Sequence, residues 1–246
     1  MGSTWGNRIK LSLFGESHGE GIGVVIDSLP AGIELDMDYI KQQMARRAPG
    51  NSSLATPRKE DDEVKILSGI FEGKTTGAPL CGVIYNNNIR SKDYSILKDT
   101  LRPSHSDYPA KVKYLGFNDY RGGGHFSGRI TAPLMFAGAI AMQMLQEKNI
   151  VIGSRIKSIH KTSDVRIDYS NINETLLKKL KAMAFPTLSE DISNAMEDEI
   201  IYAKNSGDSV GGVVETYIIN VPAGLGQPFF HSLESQIAQI VFSIPA

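Results

Sequence analysis

Arg121-Gly122-Gly123-Gly124-His125-Phe126-Ser127-Gly128-Arg129-Ile130-Thr131 is the stretch around which the chain is organised. Three consecutive glycines bring no side chain to a core, and each loses more backbone entropy on folding than any other residue. Such a run is expected where the backbone turns sharply or comes close to another group. Residues 133–145 are apolar and small, and they read as a helix with Thr131 near its N-cap and Pro133 in its first turn. A glycine loop edged by Arg121 and Arg129 at a helix N-terminus suits an anion. A plain hairpin between two elements is the alternative.

Upstream, residues 8–14 alternate polar and apolar as in a half-buried strand. The glycine-rich turn from Gly15 to Gly23 leads into the short apolar strand Val24-Val25-Ile26, which makes a hairpin with His18 at its tip. Residues 36–47 read as a helix, acidic at its start and basic at its end. Residues 51–62 are polar and charged and read as a mobile loop. Residues 64–71 and 79–85 read as strands, Asn86-Asn87-Asn88 as a loop, and 102–107 as a turn. Downstream, 150–159 and 210–221 are strands, 188–205 and 232–242 are helices, and 164–170 is a surface insertion. Strands and helices alternate without a clean βαβ rhythm, so the fold expected is α+β with mostly antiparallel sheet.

Two motifs fail on context. Gly69 to Thr75 imitates a phosphate-binding P-loop, but its first glycine stands one residue too close to Gly73-Lys74-Thr75. Gly15-Glu16-Ser17-His18-Gly19 spells the nucleophile elbow of serine hydrolases, yet it is followed by strand-forming residues where that motif needs a helix.

With a net charge of -1, the chain lacks the basic balance of a general nucleic-acid binder. The single cysteine, Cys81, fits a reducing compartment. No apolar run is long enough to span a bilayer, so a soluble cytoplasmic protein is expected, with no membrane and no nucleic acid among its partners. Three of the five histidines, His18, His105 and His125, lie in turn-rich segments and are candidate proton carriers; His160 and His231 sit beside apolar residues and are assigned to structure. The histidine and cysteine spacings match no zinc pattern, so no metal is expected. Arg46, Arg47, Arg102, Arg121 and Arg129 flank turns or helix ends. Clustered guanidinium groups imply a small, multiply anionic ligand.

Taken together, these segments resemble the chorismate synthase family. The matching stretches are Phe14-Gly15-Glu16-Ser17-His18-Gly19, Arg46-Arg47 with Pro49-Gly50, residues 64–73, Ser91-Lys92-Asp93-Tyr94, Arg102-Pro103-Ser104-His105-Ser106-Asp107-Tyr108, the glycine loop, residues 207–212 and residues 221–226. They occur in order from end to end. The resemblance implies a homotetramer with a β-α-β sandwich core. Its members convert 5-enolpyruvylshikimate 3-phosphate to chorismate and phosphate by a 1,4-anti elimination that needs reduced FMN. By that resemblance His18 protonates the departing phosphate and His105 protonates the reduced flavin. His125, Phe126, Ser127, Pro245 and Ala246 contact FMN. Arg47, Arg102, Ser127 and Arg129 bind substrate, with Arg47 also facing NADPH where that serves as reductant.

Departures from the pattern are His125 where many members have arginine, Gly128 where many have alanine, and Ser53 where many have a further arginine. The family also continues past the position of Ala246. The expectation is therefore one chorismate synthase domain over residues 1–246, C-terminally incomplete, forming little or no chorismate by itself. A non-catalytic homologue that binds flavin or phosphate is the alternative.

Overall fold

The hairpin expected around His18 forms in the computed structural model, which describes residues 2–48, 54, 62–86 and 98–245. Expectations for Pro49-Gly50, Ser53, Ser91-Lys92-Asp93-Tyr94 and Ala246 lie outside the described residues. In chain order the elements are β1 (Thr4–Trp5), β2 (Lys10–Gly15), β3 (Gly21–Asp27), α1 (Met37–Arg47), β4 (Lys65–Ser68), β5 (Ile70–Phe71), β6 (Lys74–Thr75), β7 (Leu80–Tyr85), α2 (Asp107–Lys113), α3 (Thr131–Gln146), β8 (Val151–Ile159), β9 (Thr162–Ser163), α4 (Glu174–Ala182), α5 (Glu190–Asn205), β10 (Gly212–Ile219) and α6 (Leu233–Val241). Every described strand pair is antiparallel, which gives the α+β class expected. Among the described residues no helix is long and apolar enough to cross a membrane.

The chain resolves into two compact units. The first takes its described residues from 1–50, 58–143 and 226–246. Its sheet runs β1-β2-β3-β7-β4. Ile22, Val24, Ile26, Leu80 and Ile84 are buried on β3 and β7, two of the three inner strands, and their removal from water is what stabilises the sheet. The α3 side chain Phe136 is fully buried, with its ring against Gly82 of β7. Asp36 caps α1 by accepting from the Tyr39 N–H at 2.9 Å, and the helix buries Ile40 and Met44.

One local expectation is corrected in this unit. The strand read over 64–71 breaks at Gly69, whose φ of 89° ends β4. Past the break, β5 and β6 form a hairpin, so the P-loop imitation is a turn with no helix behind it. The turn at 102–107 runs directly into α2. Helix α3 starts at Thr131 with Pro133 in its first turn, as expected, and just upstream Ser127 Oγ accepts from the Arg129 N–H at 3.3 Å.

The second unit takes its described residues from 51–57 and 144–225. Its sheet runs β10-β8-β9. Ile167, Leu177, Leu180 and Tyr217 form its core cluster, with α4 supplying the two leucines. The surface insertion expected over 164–170 is wrong at its start. Asp164 and Ile167 are buried, because Asp164 accepts from the buried Arg155 guanidinium at 3.1 Å.

Candidate active site

The glycines of 121–131 are required by what lies against them. Gly122, Gly123 and Gly124 all have positive φ, at 59°, 93° and 55°, which L side chains adopt only with strain. A Cβ on Gly122 would stand 2.2 Å from Cε1 of His18, and one on Gly123 would stand 2.8 Å from Cε1 of His105. A Cβ on Gly124 would stand 2.2 Å from the Asp119 carbonyl oxygen. Two histidines some ninety positions apart in sequence thus rest on adjacent residues of one loop. The close approach expected of the glycine run is to the candidate proton carriers themselves.

His18 is buried at the tip of the β2–β3 hairpin. The tip is fastened to the loop twice: the Ser17 N–H donates to the Gly124 carbonyl at 3.1 Å, and Ser17 Oγ donates to the Arg121 carbonyl at 3.3 Å. Ser17 Oγ also lies 3.2 Å from His18 Nδ1. With the hydroxyl hydrogen engaged on a carbonyl, the imidazole Nδ1–H is the donor in that pair.

His105 sits in a different electrostatic setting. Its Nδ1 is 2.6 Å from Asp107 Oδ1, and a carboxylate in that position holds the ring by one nitrogen. Arg102 grips the same carboxylate through Nε and Nη2, each at 2.9 Å, and through its backbone N–H at 3.0 Å. Those hydrogen bonds, led by the side-chain pair, hold the Asp107 carboxyl at about 2, against the opposing effect of burial. Arg102 Nη2 is 3.3 Å from both ring nitrogens of His105. That equidistance sets the guanidinium against the ring face and in line with neither lone pair.

The same pattern recurs at Arg121. It holds Asp119 through Nε at 2.8 Å and Nη2 at 2.7 Å, and these bonds lower the Asp119 pKa. Arg47 and Arg129 share a single carboxylate. Asp62, with its side chain fully buried, accepts from Arg47 Nη1 at 2.6 Å and also from Arg129 Nη1. Asn86 joins this group to the hairpin tip that carries His18. Its Nδ2 donates to the Glu16 and Gly19 carbonyls at 3.1 and 2.9 Å, and its Oδ1 accepts from Arg129 Nε at 3.4 Å. An unbroken set of contacts in the first unit therefore runs from His105 over the glycines to His18, and through Asn86 to Arg129, Asp62 and Arg47.

A cavity of ≈ 620 Å³ opens beside the loop, within the range of about 300–1,000 Å³ common to ligand pockets. His125, Phe126, Ser127 and Pro245, all expected at the flavin, line it, together with Ser3, Trp5 and Tyr114. His125 Nδ1 is 2.8 Å from the Gly15 carbonyl, so that nitrogen carries a hydrogen, and Nε2 is 2.8 Å from Ser3 Oγ. The Tyr114 and Phe126 rings meet at 6.1 Å between centroids. His160 and His231 keep structural partners, Glu199 at 2.9 Å and Gln236 at 3.0 Å.

Sequence reasoning missed Asp62, Asn86, Ser3 and Trp5. Asp62 ends the segment 51–62 read as a mobile loop; its burial corrects that reading at this residue, while 51–53 and 55–61 lie outside the described residues. An isolated acid beside a run of charges gives no periodic signal, and Asn86 looks like any loop asparagine. Trp5, the chain's one tryptophan, was the more visible clue, since such side chains concentrate where ligands and partners bind.

An α+β protein that gathers two histidines, a set of carboxylate-held arginines and an aromatic-lined cavity on one glycine loop has the outline of an enzyme for small anionic molecules. Comparison with known proteins gives that outline a family. The chorismate synthase family model matches residues 9–246, and the chain belongs to that family. It is 46% identical to the chorismate synthase of Methanobrevibacter smithii over 246 residues, which is 100% of this chain and 66% of the relative. It is 43% identical to the chorismate synthase of Methanocaldococcus jannaschii, covering 99% of this chain and 66% of the relative. A solved structure described as "Crystal Structure of Chorismate Synthase" superposes with a TM-score of 0.74 at 26% identity, over 98% of this chain and 66% of that one. The chain thus spans about two thirds of the length of the curated relatives it matches.

Proposed function

We propose that the first unit binds 5-enolpyruvylshikimate 3-phosphate beside reduced FMN and serves the 1,4-anti elimination that yields chorismate and phosphate. The observation that carries this reading is the seating of His18 and His105 on Gly122 and Gly123, next to a cavity walled by Trp5, Tyr114 and Phe126. Three aromatic side chains fit a planar ring system, and Ser3, His125, Ser127 and Lys113 add polar groups at its edge. Reduced FMN supplies transient electron density to the substrate when bound.

The chain's own residues have separable tasks in this reading. His18 delivers a proton to the departing phosphate, and general acid catalysis of this kind is worth about a hundred- to ten-thousandfold. Asp107 stays ionised and holds His105 by Nδ1, which keeps the ring oriented for proton exchange with the flavin. Arg102 secures Asp107, so its contribution to substrate binding is partly indirect. Arg47 and Arg129 meet the anionic groups of the substrate, where desolvation strengthens each charge-assisted contact. NADPH as reductant, a homotetramer, a cytoplasmic location and a single chorismate synthase domain over 1–246 complete the reading by family analogy.

Binding tests this without requiring turnover. FMN and the substrate ester are expected to bind together, with affinity falling as salt rises and falling further in Arg129→Ala. Chorismate released with phosphate, and lost in His18→Ala, adds the lyase step. Binding without turnover leaves the chain as a binding protein, and failure to bind either ligand contradicts the reading.

A further inference from the structure

Asp62 has no part in the reaction as described, yet it is the most completely enclosed charge near the site. Its side chain is 0% exposed, beneath Arg129 at 9% and Arg47 at 21%. The carboxylate is closed to solvent, and of its two partners Arg47 keeps the larger exposed share. The backbone at Asp62 has a φ of 43°, a left-handed conformation in which Asp is enriched over most residues. The two carboxylate oxygens are divided between the two arginines, Oδ2 to Arg47 and Oδ1 to Arg129. Arg47 is further tied to the Gly128 carbonyl at 3.5 Å, and Arg129 to Asn86.

We propose that Asp62 is a positioning residue that sets the spacing and direction of Arg47 and Arg129 for a phosphorylated or carboxylated ligand. The proposal rests on the reading that these arginines bind the anionic substrate. Two guanidinium groups on long side chains lose much rotamer freedom when held, and like charges brought together repel. A carboxylate shared from below offsets both costs before the ligand arrives. A misplacement of about 1 Å at such a site can cost a hundredfold.

The test is calorimetric titration of the chain, with FMN present, with 5-enolpyruvylshikimate 3-phosphate. Asp62→Asn puts an amide donor against one guanidinium and is expected to weaken binding about tenfold or more. Asp62→Glu keeps the charge but moves it outward by one methylene. Positioning predicts weakening of several-fold there too, whereas charge balance alone predicts none. Asp164→Asn removes a comparably buried partner of Arg155 in the second unit and is expected to leave the affinity within about twofold. Thermal melts establish that each variant is folded at the titration temperature, and Asp62→Glu decides the matter if Asp62→Asn is not. Arg47→Ala is expected to cost less in the Asp62→Asn background than in the wild type, because the two act through one arrangement. Unchanged affinity in a folded Asp62→Glu or Asp62→Asn, or strict additivity with Arg47→Ala, overturns the proposal while leaving the functional reading intact. A wild-type chain that does not bind the ester removes both.

Discussion

Both units bury arginine against carboxylates, but they do so to different ends. In the second unit Arg155 is 2% exposed and saturated: Nε donates to Glu215 at 3.0 Å, and Nη1 donates to Asp164 at 3.1 Å and to the Val165 carbonyl at 2.7 Å. Tyr217 donates to the same Glu215, and burial, then that bond, pushes its phenol up to about 12. In the first unit Arg47, Arg102 and Arg121 hold their carboxylates with 21%, 33% and 36% of their side chains exposed, and the loop beside them is glycine. A sealed network fixes a fold. A carboxylate-backed guanidinium with one face accessible, beside histidines on bare backbone, is equipped to meet a ligand.

The largest effect that would break this contrast is expected at Arg155. Arg155→Met leaves the buried Asp164 without its cation and Glu215 with Lys157 alone, and removing one partner of a buried pair costs about 3–5 kcal/mol. Urea denaturation should register that loss, while FMN binding by the folded fraction stays unchanged. Next comes Gly122→Ala. Overpacking against His18 costs about 1–3 kcal/mol, with about 1–2 kcal/mol of left-handed strain added, and ligand binding should fall with it. Gly207→Ala has a similar φ of 67° but open space around it, so it should show the strain alone.

Acid sharpens the comparison. Asp107 in one unit and Glu215 in the other are each held at about 2, the first chiefly by hydrogen bonds from Arg102, the second by that from Tyr217. A carboxylate depressed in the folded state adds stability that is complete above its unfolded pKa, about 4, and is lost as pH falls through about 2. Each contributes on the order of 2 kcal/mol. Asp107→Asn and Glu215→Gln should each flatten the loss of stability between about pH 4 and 2, and only Asp107→Asn should alter the pH dependence of ligand binding.

Much of the fold was legible because its signals are local. The period-two pattern marks β2, the charge gradient marks α1, and the apolar run marks α3. Helix α4 carried readable signals that the sequence analysis left unassigned: Asn173 as cap, Glu174 in the first turn, Leu176, Leu177 and Leu180 on one face. Helix α2 was harder, since seven residues with Pro109 and two charged lysines show no stable period. At the site, the glycine run disclosed that something lies close, and the family resemblance singled out His18 and His105. Which glycine each ring touches, and that one aspartate serves two arginines, depends on contacts between residues far apart in sequence. Local pattern carries no record of such pairings.

The most direct measurement uses Trp5, the only tryptophan in the chain, whose side chain stands in the cavity wall. Its fluorescence should be quenched as FMN is added, and 5-enolpyruvylshikimate 3-phosphate should shift that titration to lower flavin concentration in the wild type but much less in Arg129→Ala. Unquenched Trp5 at saturating flavin, or a titration indifferent to the ester, would contradict a shared flavin and anion site on the glycine loop.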